Sequence, residues 1–170
     1  MAKQKWGKQT VVKFIGGELL MSLESDKTEL DYVKDLNGVI KRSTDMTPAM
    51  KKVGLYLLGV NVRNFNAEGR PAWTPLQPST IVDRLRKGFG VGPILERTGV
   101  LKRSLTELGA PYQVFRPRPR SLQLTSNVPY FKFHQKGTRN IPQRLMVAYQ
   151  RQDKSQITRI INDFVKGDVF

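Results

Sequence analysis

The sequence predicts an α+β fold, with N-terminal and central helices packed on a small antiparallel sheet and a helix closing the chain. Three observations carry this. Apolar residues recur at helical spacing in two segments before residue 66. Period-two alternation replaces that spacing after Gly109. A last helical stripe then runs from Ser155 to Lys166.

In chain order, residues 1–25 are expected to form an N-terminal arm with one short strand, and 26–170 a single α+β domain. Residues 1–10 are polar and lysine-rich, and order in them is expected only when a partner holds them. Trp6 is the candidate anchor of that arm, because a large apolar side chain is wasted in solvent. Val11-Val12-Lys13-Phe14-Ile15 is the candidate strand, stopped by Gly16-Gly17. The apolar run Leu19-Leu20-Met21-Ser22-Leu23 has no clear period and predicts no element. Residues 28–40 predict a helix, with Asp26 as N-cap, Glu29 completing a capping pattern, and Leu30, Val33, Leu36 and Ile40 near one face. A second helix is expected from Thr47-Pro48, since Thr47 can cap and proline is tolerated in a first turn. Its core stripe is Met50, Val53, Leu57 and Val60, widened by Leu58 and Phe65. Gly54 and Gly59 on this helix suggest close packing.

Prolines 71, 75 and 78 break regular structure between Asn66 and Ser79. Ser79 or Thr80 can cap a short helix reaching about Lys87. Gly88 to Pro93 is a glycine-rich insert. Ile94 to Leu108 predicts a helix with a break at Gly99, anchored by Leu95, Leu101, Leu105 and Leu108. After Gly109, Tyr112–Phe115 and Ser121–Ser126 predict strands, joined by the stiff cationic tip Arg116-Pro117-Arg118-Pro119-Arg120. Pro129–Phe133 is expected to continue toward the sheet, and Leu145–Ala148 to add a short strand. Ser155–Lys166 predicts the closing helix, capped by Asp153 or Ser155, with Ile157, Ile160, Ile161, Phe164 and Val165 inward.

A chain of 170 residues can bury a real core, and 14 Gly and 10 Pro punctuate it. It contains no cysteine, which excludes disulfides, thiolate metal sites and cysteine nucleophiles. No apolar run reaches membrane-spanning length, and no signal peptide is expected after the basic N-terminus. The net charge is +15, unevenly spread. Residues 1–68 carry 11 basic and 8 acidic side chains, whereas 69–170 carry 18 and 6. Such an excess attracts polyanions, which include nucleic acid, anionic membrane and acidic protein faces.

Candidate chemistry is sparse. His134 is the single histidine, the acids lack metal-ligand spacing, and no nucleophile-elbow sequence surrounds a serine. A hydrogen-bonded histidine at a strand end is the favoured reading of His134. The Gly88–Pro93 run lacks the Lys-Ser or Lys-Thr of a phosphate loop, and Pro93 removes an amide donor. Glu96 is expected to pair with cations near Lys102 on a solvated helix. Trp73 reads as a plug that pins its proline-rich loop to the core, in preference to a stacking platform. Phe115-Arg116 and Tyr130-Phe131-Lys132-Phe133 mix bases with aromatics, which fits an RNA-binding sheet and a half-buried strand about equally. No enzyme activity and no cofactor or metal is expected.

An ordered set of motifs runs through the chain. It begins with Gly69-Arg70-Pro71-Ala72-Trp73-Thr74-Pro75-Leu76, then Thr80 and Arg84. Next come Ile94-Leu95-Glu96-Arg97-Thr98-Gly99-Val100-Leu101-Lys102-Arg103-Ser104-Leu105 and Asn127-Val128-Pro129-Tyr130. Last are His134-Gln135-Lys136-Gly137 and Ile141-Pro142-Gln143-Arg144. Over roughly residues 45–165 this set resembles the phage virion morphogenesis family, the tail completion proteins of tailed bacteriophages, Mu-like phages among them. The chain departs from the family pattern at Phe131 and at Leu145-Met146, and its first 25 residues lie outside the likeness.

The resemblance implies a non-enzymatic structural protein of the virion, acting in tail completion or head–tail joining at the neck as one subunit of a homo-oligomeric ring. It implies adjoining neck and tail proteins as partners, phage DNA in the channel as a further one, and no membrane. The host cytoplasm during assembly and then the virion are the implied locations. The competing reading is a basic nucleic-acid-binding module, supported by the charge of residues 69–170. A hydrolase or nuclease ranks last. The candidate partner or DNA contacts are Arg116, Arg118 and Arg120 at the hairpin tip, with Lys132, Lys136 and Arg139 further along.

Overall fold

The computed structural model describes residues 9–15, 18–24 and 28–168. The chain divides into two compact units, Met1–Thr44 and Asp45–Phe170. Trp6 lies outside the described residues.

In the first unit, β1 (Gln9–Ile15) pairs antiparallel with β2 (Glu18–Glu24), from Gln9 opposite Glu24 to Ile15 opposite Glu18. Gln9 and Thr10 therefore belong to a strand and not to the arm expected over residues 1–10. The run over 19–23 that predicted no element is the second strand. A helix, α1 (Glu29–Thr44), follows. Asp26 lies outside the described residues. Thr28 does the capping: its amide donates to Asp31 Oδ2 at 3.0 Å and its Oγ1 accepts from the Asp31 amide at 3.3 Å. Leu30, Leu36 and Ile40 stay about three-fifths exposed, so the expected apolar face of α1 exists without burying any of its residues.

The second unit is built around α2 (Thr47–Asn66), as its stripe predicted. Val53, Leu57, Leu58, Val60 and Phe65 are buried. Thr47 is not the cap; its own amide donates to Asp45 Oδ1 at 2.9 Å. One core cluster joins Phe65, Trp73, Leu101, Leu105, Val128 and Met146. The other joins Val53, Leu57 and Val60 to Ile160. Around α2 stand α3 (Pro78–Arg86), α4 (Val100–Thr106), the hairpin β3 (Gln113–Arg118) and β4 (Ser121–Ser126), α5 (Phe131–Lys136) and α6 (Arg151–Lys166).

The second strand, Ser121–Ser126, sits where the alternation placed it. The first runs on through Arg118, pairing from Gln113 opposite Ser126 to Arg118 opposite Ser121, so Arg116-Pro117-Arg118 of the expected joining tip are strand and only Pro119-Arg120 turn. Gly54 faces Phe115, whose ring any side chain at 54 would overlap, so this glycine lets the hairpin close onto α2. Gly59 has only the Arg63 side chain nearby and plays no such part.

Several expectations need correction. Residues 94–99 are not helical. Leu95 has φ 64°, and Gly99, at φ 72°, starts a helix of only seven residues. Leu108 is exposed and anchors nothing. Tyr130–Phe133 does not extend the sheet. Alternation over four residues suits a helical turn equally well, and Phe131–Lys136 forms one. Leu145–Ala148 is not a strand, because its backbone groups are taken by side chains of Asn64, Trp73 and Gln135. The last helix starts four residues early, at Arg151, and Asp153 lies inside its first turn, accepting from the Gln150 amide at 2.9 Å.

Candidate functional site

Two features of the second unit could meet a partner. The first is the hairpin. Its register puts Phe115, Leu122 and Leu124 on one face, where Leu122 and Leu124 pack against the α2 cluster. Arg116 and Arg118 alternate onto the opposite face, across from Gln123 and Ser121. Both are exposed, as is Arg120 in the two-residue turn. None of the three has an acidic partner among the described residues, so three cations follow one another along the outer face and turn of the hairpin. The Pro119 carbonyl accepts from the Met46 amide at 3.1 Å, which ties this tip to the entry of α2. Lys132 and Lys136 are exposed one turn apart on α5, and Arg139 is exposed in the loop beyond. Lys132 Nζ lies 5.0 Å from the centre of the Phe133 ring. The six expected contact residues are thus all at the surface, three on the hairpin, two on α5 and one in the loop beyond it.

The second feature is a cavity of about 580 Å³. Its walls come from segments far apart in sequence: Leu76 after the Trp73 loop, Arg84 on α3, Thr98 and Leu101 around the start of α4, His134 on α5, and Ile141 and Arg144 beyond it. These are the motif segments, and hydrogen bonds lock them together. Trp73 is buried, its ring edge-on to Phe65 at 5.4 Å, and its Nε1 donates to the Leu145 carbonyl at 3.0 Å. It is a plug, as read from the sequence. Arg144, almost wholly buried, donates from Nε to the Thr74 carbonyl at 2.9 Å and from Nη2 to Pro75 at 3.1 Å. Gln135 Oε1 accepts from the amides of Met146 and Val147, and its Nε2 donates to the Val147 carbonyl.

Sequence reasoning missed the cavity's electrostatics. Arg84, Arg97, Arg144 and His134 line it, and among the described residues no carboxylate does. Arg84 is 4% exposed and donates from Nη1 to the Pro93 carbonyl, while its Nε is buried without a partner. His134 does not end a strand, and its Nδ1 is likewise buried without a hydrogen bond. Burial, with the nearby Arg144 charge, lowers the His134 pKa, so the imidazole is neutral at pH 7. Burial also lowers the Arg144 pKa.

A third cluster is structural. Asp153, buried on α6, accepts from Tyr56 Oη at 2.9 Å and Arg63 Nη2 at 3.2 Å, and pairs with Arg70 at 3.4 Å. Arg70 Nε in turn donates to Asn64 Oδ1 at 2.8 Å. Burial alone would raise the Asp153 pKa. The Gln150 amide, Tyr56, Arg63 and Arg70 more than offset it, and the carboxyl sits below its ordinary value of 3.8. Glu96 pairs with Lys102 at 2.9 Å, as expected, but from a non-helical segment and with its side chain only 17% exposed, not from a solvated helix. Among the described residues no cluster of three or more His, Asp or Glu could hold a metal ion, and no helix is long and apolar enough to cross a membrane.

A model of the phage virion morphogenesis family matches residues 28–166. The chain belongs to that family. No curated protein and no solved structure matches the chain. The family assignment makes it a phage protein of virion assembly, and the cavity is where the family-like motifs converge.

Proposed function

We propose that this virion protein completes the tail or neck of a tailed phage, as one subunit of a ring at the head–tail junction, and that it works by surface complementarity without catalysis. Membership of a virion morphogenesis family carries the reading. The outward arginines of the hairpin support it. The hairpin presents Arg116, Arg118 and Arg120 with no acid among the described residues to neutralise them, which suits docking on an anionic face of an adjoining protein or on DNA in the channel. Lys132, Lys136 and Arg139 supply a second set of exposed cations.

Replacing all three hairpin arginines by glutamine should leave the fold intact and lower head–tail joining, so that lysates accumulate filled heads and free tails. Normal titre and normally joined particles would refute the role of the tip. The nucleic-acid reading rests on the 18 basic against 6 acidic side chains of residues 69–170. Salt titration against random duplex tests it. If the tip grips phosphates, the triple variant should flatten the slope of log K against log salt by about 3 units, close to one for each phosphate left unneutralised. An unchanged slope together with failed joining assigns the tip to a protein face.

A further inference from the structure

The cavity of the second unit opens to solvent and is charged in one sense only. Its walls combine apolar side chains, Leu76, Phe89, Leu95 and Ile141 among them, with three arginines and a histidine. Buried polar nitrogens are nearly always paired. Here a solvent-open cavity of about 580 Å³ is lined by two residues, Arg84 and His134, that each carry a buried nitrogen, Nε and Nδ1, without a hydrogen-bond partner. The acceptors given to Arg84 and Arg144 are neutral carbonyls. Arg97 reaches Asp83 only at 3.8 Å, and Asp83 also serves Arg86 and Lys87. The Arg97 guanidinium lies 4.5 Å from the centre of the Phe89 ring, which holds it beside the apolar wall.

We infer that this cavity is a docking site for a peptide segment of a partner protein that sets one carboxylate next to a large apolar side chain. The carboxylate answers the arginines of a wall that holds no acid, for which bidentate pairing is the strong mode. The apolar side chain fills the wall that a phosphate and sugar would leave wet. A volume of this size suits one or two side chains and not a helix or a duplex. The site lies apart from the hairpin arginines in sequence and chemistry, and its test needs no assembled particle.

The single histidine makes the test direct, since its ring resonances in NMR have one assignment. The probe is the peptide acetyl-Ala-Glu-Leu-Phe-Ala-amide, with the Gln-for-Glu peptide as control, both added to the full chain at low salt. At about 1 mM, where weak sites begin to fill, the Glu peptide should shift the His134 signals and raise their titration midpoint, because a carboxylate joins Arg84, Arg97, Arg144 and Tyr130 around the ring. It should bind at least about tenfold more tightly than the Gln peptide, which corresponds to one charge-assisted contact. Asn140→Trp, at an exposed position of the lining, should abolish the shift without unfolding the protein, and Arg97→Gln should weaken binding. Silence of His134 at that concentration, equal binding of the two peptides, or an equal response to an oligothymidylate would overturn the inference.

Discussion

Arg144 and Arg84 keep their guanidinium groups inside the second unit, while Arg116 and Arg118 stand on the outer face of a hairpin. The buried pair donates to the backbone carbonyls of Thr74, Pro75 and Pro93 and so fixes loops that have no regular structure. The outer pair faces Gln123 and Ser121 and holds nothing in place. The net charge counts all four alike. A basic excess therefore mixes two populations: cations that work as internal ties, and cations left over for a partner. Only the second bears on what the protein binds.

The comparison is sharpest at Arg144. Arg144→Ala removes two charge-assisted hydrogen bonds and a buried stem, and should cost about 3 kcal/mol in a denaturant titration. A loss too small to measure would mean that the Thr74–Pro75 loop is held by Trp73 alone. Next comes Asp153, the acid on which two further arginines converge. Asp153→Asn should cost about 2 kcal/mol, less than the loss of a fully buried pair because Arg63 and Arg70 keep access to water. The effect depends on pH. The native Asp153 carboxyl gives up its proton more readily than the unfolded one. Its contribution is therefore complete above the ordinary value of 3.8 and fades as pH falls through that value and below. The gap between wild type and Asp153→Asn should narrow from pH 5 toward strong acid (about pH 2), read as unfolding midpoints at each pH. The smallest effect belongs to the hairpin. Changing Arg116, Arg118 and Arg120 together to glutamine should leave the unfolding midpoint where it was. A clear drop would move these arginines into the population of internal ties.

What the sequence disclosed follows the same division. The core stripe of α2 and the alternation of β3 and β4 were legible, because a single element buries each pattern against a neighbour. Trp73 was legible as a plug because prolines flank it. The helix α5 was misread because four alternating residues do not distinguish a strand from a turn of helix. Leu145–Ala148 was misread because side chains from Asn64, Trp73 and Gln135 do the work a neighbouring strand would do. The cavity could not be read at all. Arg84 and Arg144 look like surface residues until segments 69–76, 94–101 and 134–144 come together, and no local pattern announces an unpaired Nε. The hairpin arginines were legible as a cationic cluster, though Arg116 and Arg118 lie in β3 and only Arg120 in the turn. Their register, which turns Arg116 and Arg118 away from α2, needed the strand pairing.

Asn64 has a further consequence, for the time course of synthesis. Its side chain sits fully buried in α2 and donates to the carbonyls of Met146 and Ala148, while Tyr56, two turns earlier, reaches Asp153. Partners so distant along the chain cannot meet until the ribosome has made nearly all of the second unit. At about 5–20 residues per second, α2 waits several seconds with its polar groups and apolar stripe unsatisfied. Native pairings at this range are slow to form, and chains with exposed stripes are prone to associate. During synthesis, that interval sets a window in which a chaperone or a neighbouring nascent chain competes with the protein's own C-terminal segment for the face of α2.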